Sequence, residues 1–401
     1  MFRHPWFVAT LVLWCVGARS WSAQAQEVAA RFTGPWNVTQ LKRAPAATWG
    51  EKSGLLQQVV YEGEPLNGKP TQVFAYASRP QAATGKSPAM LLVHGGGGKA
   101  FAEWATLWAE RGYVALAMDL AGNGPDGKRI ADGGPGQGDD TKFGDFTDAE
   151  VDRMWTYHAV AAVLRGHSLL ASLPEVDASR IGVTGISWGG YLTCIVAGID
   201  DRLKVAVPVY GCGFLDENSV WIPRFEKMSA EQRQRWVRFF EPSKYLAGVS
   251  CPILFVNGTN DFAYPLDSYQ KSYRLVKGRR DLCIKVAMPH GHQQGWAPAE
   301  IGLYVDSVLR KGDALPTVGP PQIESGRVRV TVKSSVPLTK AQWHSTPDGG
   351  PWQKRTWQTV DAQLADGVAS AELPVQRPLV GFLTITDQRG AVVSSEHVEM
   401  K

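Results

Sequence analysis

Between residues 55 and 312, short apolar runs alternate with longer stretches of helical periodicity, and this alternation narrows the possible folds more than any other feature. The runs at 89–93, 113–119, 181–186, 205–210, 253–256 and 282–288 are short and lack polar alternation. Strands buried on both faces read this way. Residues 101–111, 148–173, 191–199, 268–276 and 300–309 carry helical spacing, the second stretch broken near Gly166 and stopped at Pro174. Residues 55–62 and 71–78 read as two strands joined through the turn signal Asn67-Gly68. Residues 121–147, rich in Gly, Asp and Pro, read as loop. Repeated β-α-β units give an α/β architecture, a mostly parallel sheet with helices on both faces and right-handed crossovers.

Both ends of the chain depart from this pattern. Arg3 and His4 precede an apolar run at 6–16, and Ala23-Gln24-Ala25 supplies a cleavage-type sequence, so residues 1–25 read as a secretory signal peptide. The run is too short to span a bilayer comfortably, and no later stretch approaches the required length of about 20 apolar residues. The mature chain is therefore expected to be soluble and periplasmic or secreted. Its removal takes away Arg3 and Arg19 and lowers the formal charge from +4 to +2. So small and dispersed a charge excludes a nucleic-acid binder, and no membrane partner is expected after cleavage. Residues 26–54 form an N-terminal extension, and 55–317 the α/β domain. After Thr317, Gly319-Pro320-Pro321 reads as a linker. Residues 322–401 then show alternating runs separated by turns such as Pro347-Asp348-Gly349-Gly350, as a small all-β, sandwich-like domain without helix would.

The chemistry lies at strand ends. Gly185-Ile186-Ser187-Trp188-Gly189 follows the run at 181–186 and opens a helix, which is the context a nucleophile elbow requires. The glycines permit the sharp turn, and Ser187 is presented above the sheet. A serine needs a base, and the base an orienting acid. Asp261 in Gly258-Thr259-Asn260-Asp261 ends the strand at 253–256, whereas Asp267 reads as a helix N-cap. Pro289-His290-Gly291-His292 follows the strand at 282–288. His292 is the preferred base and His290 the alternative. The pair at i and i+2 could also ligate a metal, but no third ligand cluster accompanies it. His94-Gly95-Gly96-Gly97-Gly98 follows the strand at 89–93 and has the form of an oxyanion loop, with Gly96 (or Gly97) and Trp188 supplying N–H donors. It carries neither phosphate-binding glycine pattern. His94 reads as structural.

These pieces, in this order, resemble the α/β-hydrolase superfamily, in its dienelactone hydrolase, acetyl xylan esterase and prolyl-oligopeptidase-like branch. The resemblance covers residues 55–312. It implies an eight-stranded, mostly parallel sheet, a Ser187–Asp261–His292 triad and no cofactor.

Substrate residues are less constrained. Residues 214–247 form a cap-like insertion with an Arg- and aromatic-rich helix near 229–240, which reads equally as a site cover and as a solvated helix packed by its aromatic face. The chain holds 15 tryptophans, unusually many. Trp221 and Trp296 are candidates, with Trp188, to line a pocket for a sugar ring, each also explicable as packing. Asp126, Asp132, Asp139 and Asp140 lie among glycines, but their spacing matches neither an EF-hand loop nor a glycine-rich calcium repeat, and the segment reads as a flexible loop at the site mouth. Cys194, Cys212, Cys251 and Cys283 fall in core elements, as buried thiols or bridges. The expected function is a secreted serine carboxylic-ester hydrolase acting on small-molecule or polysaccharide esters, a small-acyl carbohydrate ester above all. The alternatives are a prolyl-oligopeptidase-type peptidase and a non-catalytic binding protein.

Overall fold

The apolar runs form the six parallel strands of a nine-stranded sheet. The computed structural model describes residues 1–2, 31–82 and 84–401, and residues 32–401 make one unit. The export segment expected at 1–25 lies almost wholly outside the described residues. Among the described residues, no helix is long and apolar enough to cross a membrane.

The strands of the sheet are β1 (Ala47–Ser53), β2 (Leu56–Glu62), β3 (Gln72–Ser78), β4 (Ser87–Val93), β5 (Val114–Met118), β6 (Val176–Ile186), β7 (Val205–Val209), β8 (Ile253–Gly258) and β9 (Arg280–Lys285). Their spatial order is β1-β2-β3-β5-β4-β6-β7-β8-β9. The six strands from β5 to β9 are parallel, and β1, β2 and β3 add antiparallel to one side. Every residue of β4, β5, β7 and β8 is buried, which explains their unbroken apolar sequence. The sheet has one strand more than the resemblance implies. The extra strand is β1, whose polar and mostly exposed sequence carries no burial signal.

The expected break near Gly166 is absent: the helix Trp155–Ser172 runs through it unbroken. A Cβ there would stand 3.1 Å from the Leu116 side chain and 3.4 Å from the Tyr61 hydroxyl. Gly166 therefore lets the helix lie close on the sheet. The stretch before it, Asp148–Arg153, is a 3-10 turn held by a capping box of Thr147 and Glu150.

Within the insertion, the helix Ala230–Phe240 buries Trp236 and Phe240. Its arginines face acids of the neighbouring loop and turn: Arg235 pairs with Asp145 at 3.1 Å, Arg238 with Asp148, and Arg224 from the preceding turn with Asp139. The helix is packed by its aromatic face, and the four cysteines are buried with no disulfide among the described residues.

The C-terminal strands are β10 (Thr317–Val318), β11 (Gln322–Glu324), β12 (Arg327–Lys333), β13 (Leu338–Thr346), β14 (Gln358–Ala365), β15 (Val368–Glu372), β16 (Leu379–Asp387), β17 (Val392–Ser394) and β18 (Val398–Met400). β14 straddles two antiparallel layers, its first half paired with β13 and its last residues with β15. One 3-10 turn, Trp352–Lys354, interrupts the strands where no helix is expected. This region rests against the edge of the main sheet, where Ser394 Oγ accepts the Ile284 N–H at 2.8 Å.

Candidate active site

The chain order β3-β4-β5 builds one side of the sheet, and β6 returns to the other side of β4. A crevice opens at such a switch point beyond the carboxyl ends of the strands. The glycine loop leaves β4 there and Ser187 leaves β6. Asp261 follows β8, and both histidines follow β9.

Ser187 occupies a left-handed backbone conformation (φ 59°, ψ −117°) between β6 and the helix Trp188–Ile199. So tight a turn needs the helix start pressed on β4. A Cβ on Gly189 would meet the Val93 carbonyl at 1.9 Å, so only glycine fits. Strain of this kind costs of order 1–3 kcal/mol and is held by the packing around it.

Asp261 is buried. Its Oδ1 accepts the N–H groups of Ala263 (2.9 Å) and Tyr264 (2.8 Å), and its Oδ2 faces His290 Nδ1 at 2.6 Å. The imidazole of His290 lies between Tyr210 (centroids 4.3 Å apart) and Phe262 (4.7 Å). Nδ1–H donates to the carboxylate, so in the neutral ring Nε2 keeps its lone pair. His290 and Ser187 line the same cavity of about 360 Å³, together with Gly96, Trp188, Trp221 and Phe262.

The structure does not pair Asp261 with His292, the preferred base of the sequence reading. His292 Nε2 accepts the Gly95 N–H at 3.0 Å. Its lone pair is thus spent on bracing the glycine loop, and the ring packs on Phe101 at 4.7 Å. Burial, with His94 and His290 nearby, lowers the His292 pKa to about 4. The reason lies in the chain after β9. Ala287 turns into a left-handed conformation (φ 51°), ending the strand earlier than the apolar pattern implies and bringing His290 over Asp261.

His94 is buried with both nitrogens engaged: Nε2 accepts the Leu120 N–H and Nδ1–H donates to the Gly95 carbonyl, each at 2.8 Å. Burial depresses its pKa to about 4. The unfolded chain, with an ordinary histidine near 6.5, binds this proton more readily. Stability is therefore unaffected above about pH 6.5 and falls as the pH drops toward 4. At pH 4.5 the loss from His94 is expected to reach about 3 kcal/mol. Denaturant unfolding at pH 7 and 4.5 checks this; His94→Gln should show a smaller difference, and an equal one would remove His94 as the cause.

In the glycine loop, Gly97 N–H donates to Gln137 Oε1 (3.1 Å) and Gly98 N–H to the Gly95 carbonyl (3.1 Å). With Gly95 on His292, the Gly96 N–H alone of the four is left without a protein acceptor among the described residues. Trp188 is the first residue of its helix, so its N–H has no carbonyl of its own helix to reach. Gly96 and Trp188 are the donors the sequence reading expects, and the N–H of Gly97, its alternative to Gly96, is taken by Gln137.

Trp221 lines the cavity, its ring 4.5 Å from Trp188 and 5.1 Å from Tyr264. Trp296 does not. It packs on Phe101 and Trp104, both at 5.3 Å, and faces a separate cleft. Trp296 is placed behind the histidine loop by the short helix His292–Trp296, which turns its side chain away from the crevice.

Four residues near the site escape sequence reasoning. Tyr210 and Phe262 flank His290, Phe262 being half exposed at the mouth. The buried Tyr264 hydroxyl lies near the Ser187 side chain, without a well-formed hydrogen bond. Lys142 is buried with its ammonium over the rings of Trp188 (4.7 Å) and Trp155 (5.0 Å), and burial lowers its pKa to about 8. Among the described residues no cluster of acids, histidines and cysteines of metal-binding size occurs.

Residues 57–245 match the family model of the acetyl xylan esterases (AXE1). The match includes the glycine loop and Ser187 and ends before Asp261 and His290. An acetyl esterase, Axe7A of Xylanibacter ruminicola, is 25% identical over 241 residues, 54% of this chain and 52% of its own length. An uncharacterized peptidase, YuxL of Bacillus subtilis, is 25% identical over 241 residues, 55% of this chain and 32% of its own. The chain thus spans about half of one curated relative and a third of the other. Among solved structures, the acetyl xylan esterase from Paenibacillus sp. R4 superposes with a TM-score of 0.53 at 23% identity, over 64% of this chain and 87% of that one. Strand order, elbow and superposition show an α/β-hydrolase fold, and just under half of the chain, residues 57–245, is similar to the acetyl xylan esterases.

Proposed function

We propose that this chain is a serine carboxylic-ester hydrolase that removes acetyl or similar small acyl groups from carbohydrate. The observation that carries the reading is the 2.6 Å contact of Asp261 Oδ2 with His290 Nδ1, in the cavity that also holds Ser187. It fixes the neutral imidazole with Nε2 as the basic nitrogen.

In this mechanism His290 Nε2 takes the Ser187 proton as the serine oxygen attacks the acyl carbon. Negative charge on the former carbonyl oxygen is met by the N–H groups of Trp188 and Gly96. Loss of one such donor typically costs about 10²–10³ in rate. His290 then gives its proton to the departing alcohol, leaving Ser187 acylated. Water, deprotonated by His290, releases the acid and restores the serine. Asp261 holds the tautomer and stabilises the imidazolium without itself taking the proton.

The acyl preference rests on size, because Trp188, Trp221 and Phe262 wall a cavity at the small end of ligand sites. The sugar preference rests on the Trp221 and Phe262 rings at the mouth and on the likeness to acetyl esterases. Export through residues 1–25 would place the reaction outside the cytoplasm, where acetylated polysaccharide is met.

The test is hydrolysis of aryl acetate, aryl butyrate, acetylated xylan and a Pro-containing peptide amide by fractionated cultures and by the purified protein. Acetate release that exceeds butyrate release, extends to the polymer and sits in the periplasmic or culture fraction is expected. Amide cleavage without ester cleavage would replace the esterase reading with a peptidase. Acetate release that stops at small esters would remove the polysaccharide.

A further inference from the structure

We propose that Asn260 is a positioning residue through which the C-terminal β region holds the acid and the base of the site in register. The inference rests on the Asp261–His290 pairing just proposed and adds a role for residues 322–401, to which the sequence assigns none.

The connection is a short chain of hydrogen bonds. Asn260 precedes Asp261, and its Nδ2 donates to the backbone carbonyls of Arg355 (2.7 Å) and Gln353 (3.3 Å). Its Oδ1 accepts from Thr259 Oγ1 at 2.7 Å, and Thr259 Oγ1 accepts the Ala287 N–H at 3.0 Å. Ala287 is the left-handed residue at which the chain leaves β9 for His290. One side chain thus ties the loop of Asp261 to the C-terminal region, and its hydroxyl neighbour ties that loop to the loop of His290.

The carbonyls that receive Asn260 are themselves fixed. Arg355 stacks on the Trp352 ring at 3.7 Å and donates from Nε to the Gly350 carbonyl at 2.9 Å. Trp352 is buried against His397 (centroids 5.2 Å apart), whose carbonyl accepts from Gln270 Nε2 at 2.8 Å. Gln270 lies on the helix Leu266–Arg274, which follows the Asp261 loop. The turn Trp352–Lys354 is therefore a seat for the acid loop, anchored on both sides of it. A triad loses rate steeply with small displacements, so a rigid seat for Asp261 has a catalytic consequence beyond stability.

Asn260→Ala in the full chain tests the proposal, read in two ways. Ester turnover on aryl acetate is expected to fall about 10- to 100-fold in kcat with KM within about twofold. The low-field proton resonance of His290 Nδ1–H, shared with Asp261, is expected to broaden or vanish while near-ultraviolet circular dichroism stays native. Thr259→Val, which keeps the volume and breaks the link to Ala287, gives the same signature if Asn260→Ala fails to fold. A lowered unfolding temperature with unchanged kcat and unchanged resonance in both variants would make the contact structural only and overturn the proposal. Absence of Ser187-dependent turnover in the wild type would sink the esterase reading instead, and the resonance would still decide the role of Asn260.

Discussion

Ser187→Ala is expected to lower ester turnover about 10⁶-fold while leaving the fold unchanged. The side chain contributes only its hydroxyl to the reaction, and alanine keeps the Cβ that the elbow already accommodates. The turn is held by backbone: Ser187 N–H donates to the Val209 carbonyl and its own carbonyl receives the Tyr191 N–H, both at 2.9 Å. A substitution that touches neither bond should shift unfolding by no more than about 0.5 kcal/mol. Stopped assays with aryl acetate, alongside denaturant unfolding of both proteins, separate the two effects. Turnover within tenfold of wild type would remove Ser187 as the nucleophile, whatever the sequence around it.

The second large effect concerns two histidines one residue apart. His290→Ala should lose about 10⁴- to 10⁶-fold in kcat, because the imidazole held by Asp261 disappears. His292→Ala should lose much less, at most about 10²–10³-fold, because it frees the Gly95 N–H and slackens the loop that presents Gly96. Its effect should also be partly relieved by His292→Asn, which retains an acceptor near the loop, whereas no neutral replacement of His290 restores proton transfer. The reverse ranking would return the base to His292 and mean that the loop after β9 rearranges when substrate binds.

What could be read from the sequence here follows physical locality. Ser187 was legible because strand, glycine turn and helix start lie within six residues, and the close approaches that demand the glycines are short-range. Asp261 was legible for the same reason, at the end of β8. The choice between His290 and His292 was not, since both follow the same strand. Which of them meets Asp261 depends on Ala287, on the Tyr210 ring from β7's end and on the contact of Gly95, all set by tertiary packing. Trp296 looked like a pocket residue by position, yet a single helical turn directs it to Trp104. Lys142 gave no signal, because the two indoles that bury it are 13 and 46 positions away. β1 was missed because its residues are mostly exposed and its pairing with β2 is a matter of backbone. Nothing in the neighbourhood of Asn260 announces carbonyls more than 90 positions further on.

The contact of Ser394 with β9 has a colloidal consequence. β9 is the last strand of the main sheet, and an uncovered parallel edge offers a row of peptide groups to any other chain. Ser394 Oγ takes the Ile284 N–H and returns a hydrogen bond to the Ile284 carbonyl at 3.2 Å, while Glu300 accepts the Val392 N–H at 2.9 Å and pins β17 beside it. A hydroxyl group thus satisfies the edge locally without continuing the ladder, so the sheet ends there rather than inviting a tenth strand. Detachment of the C-terminal region would therefore do more than loosen the acid loop. It would bare a sticky margin, and self-association of the damaged molecules would follow before the core itself came apart.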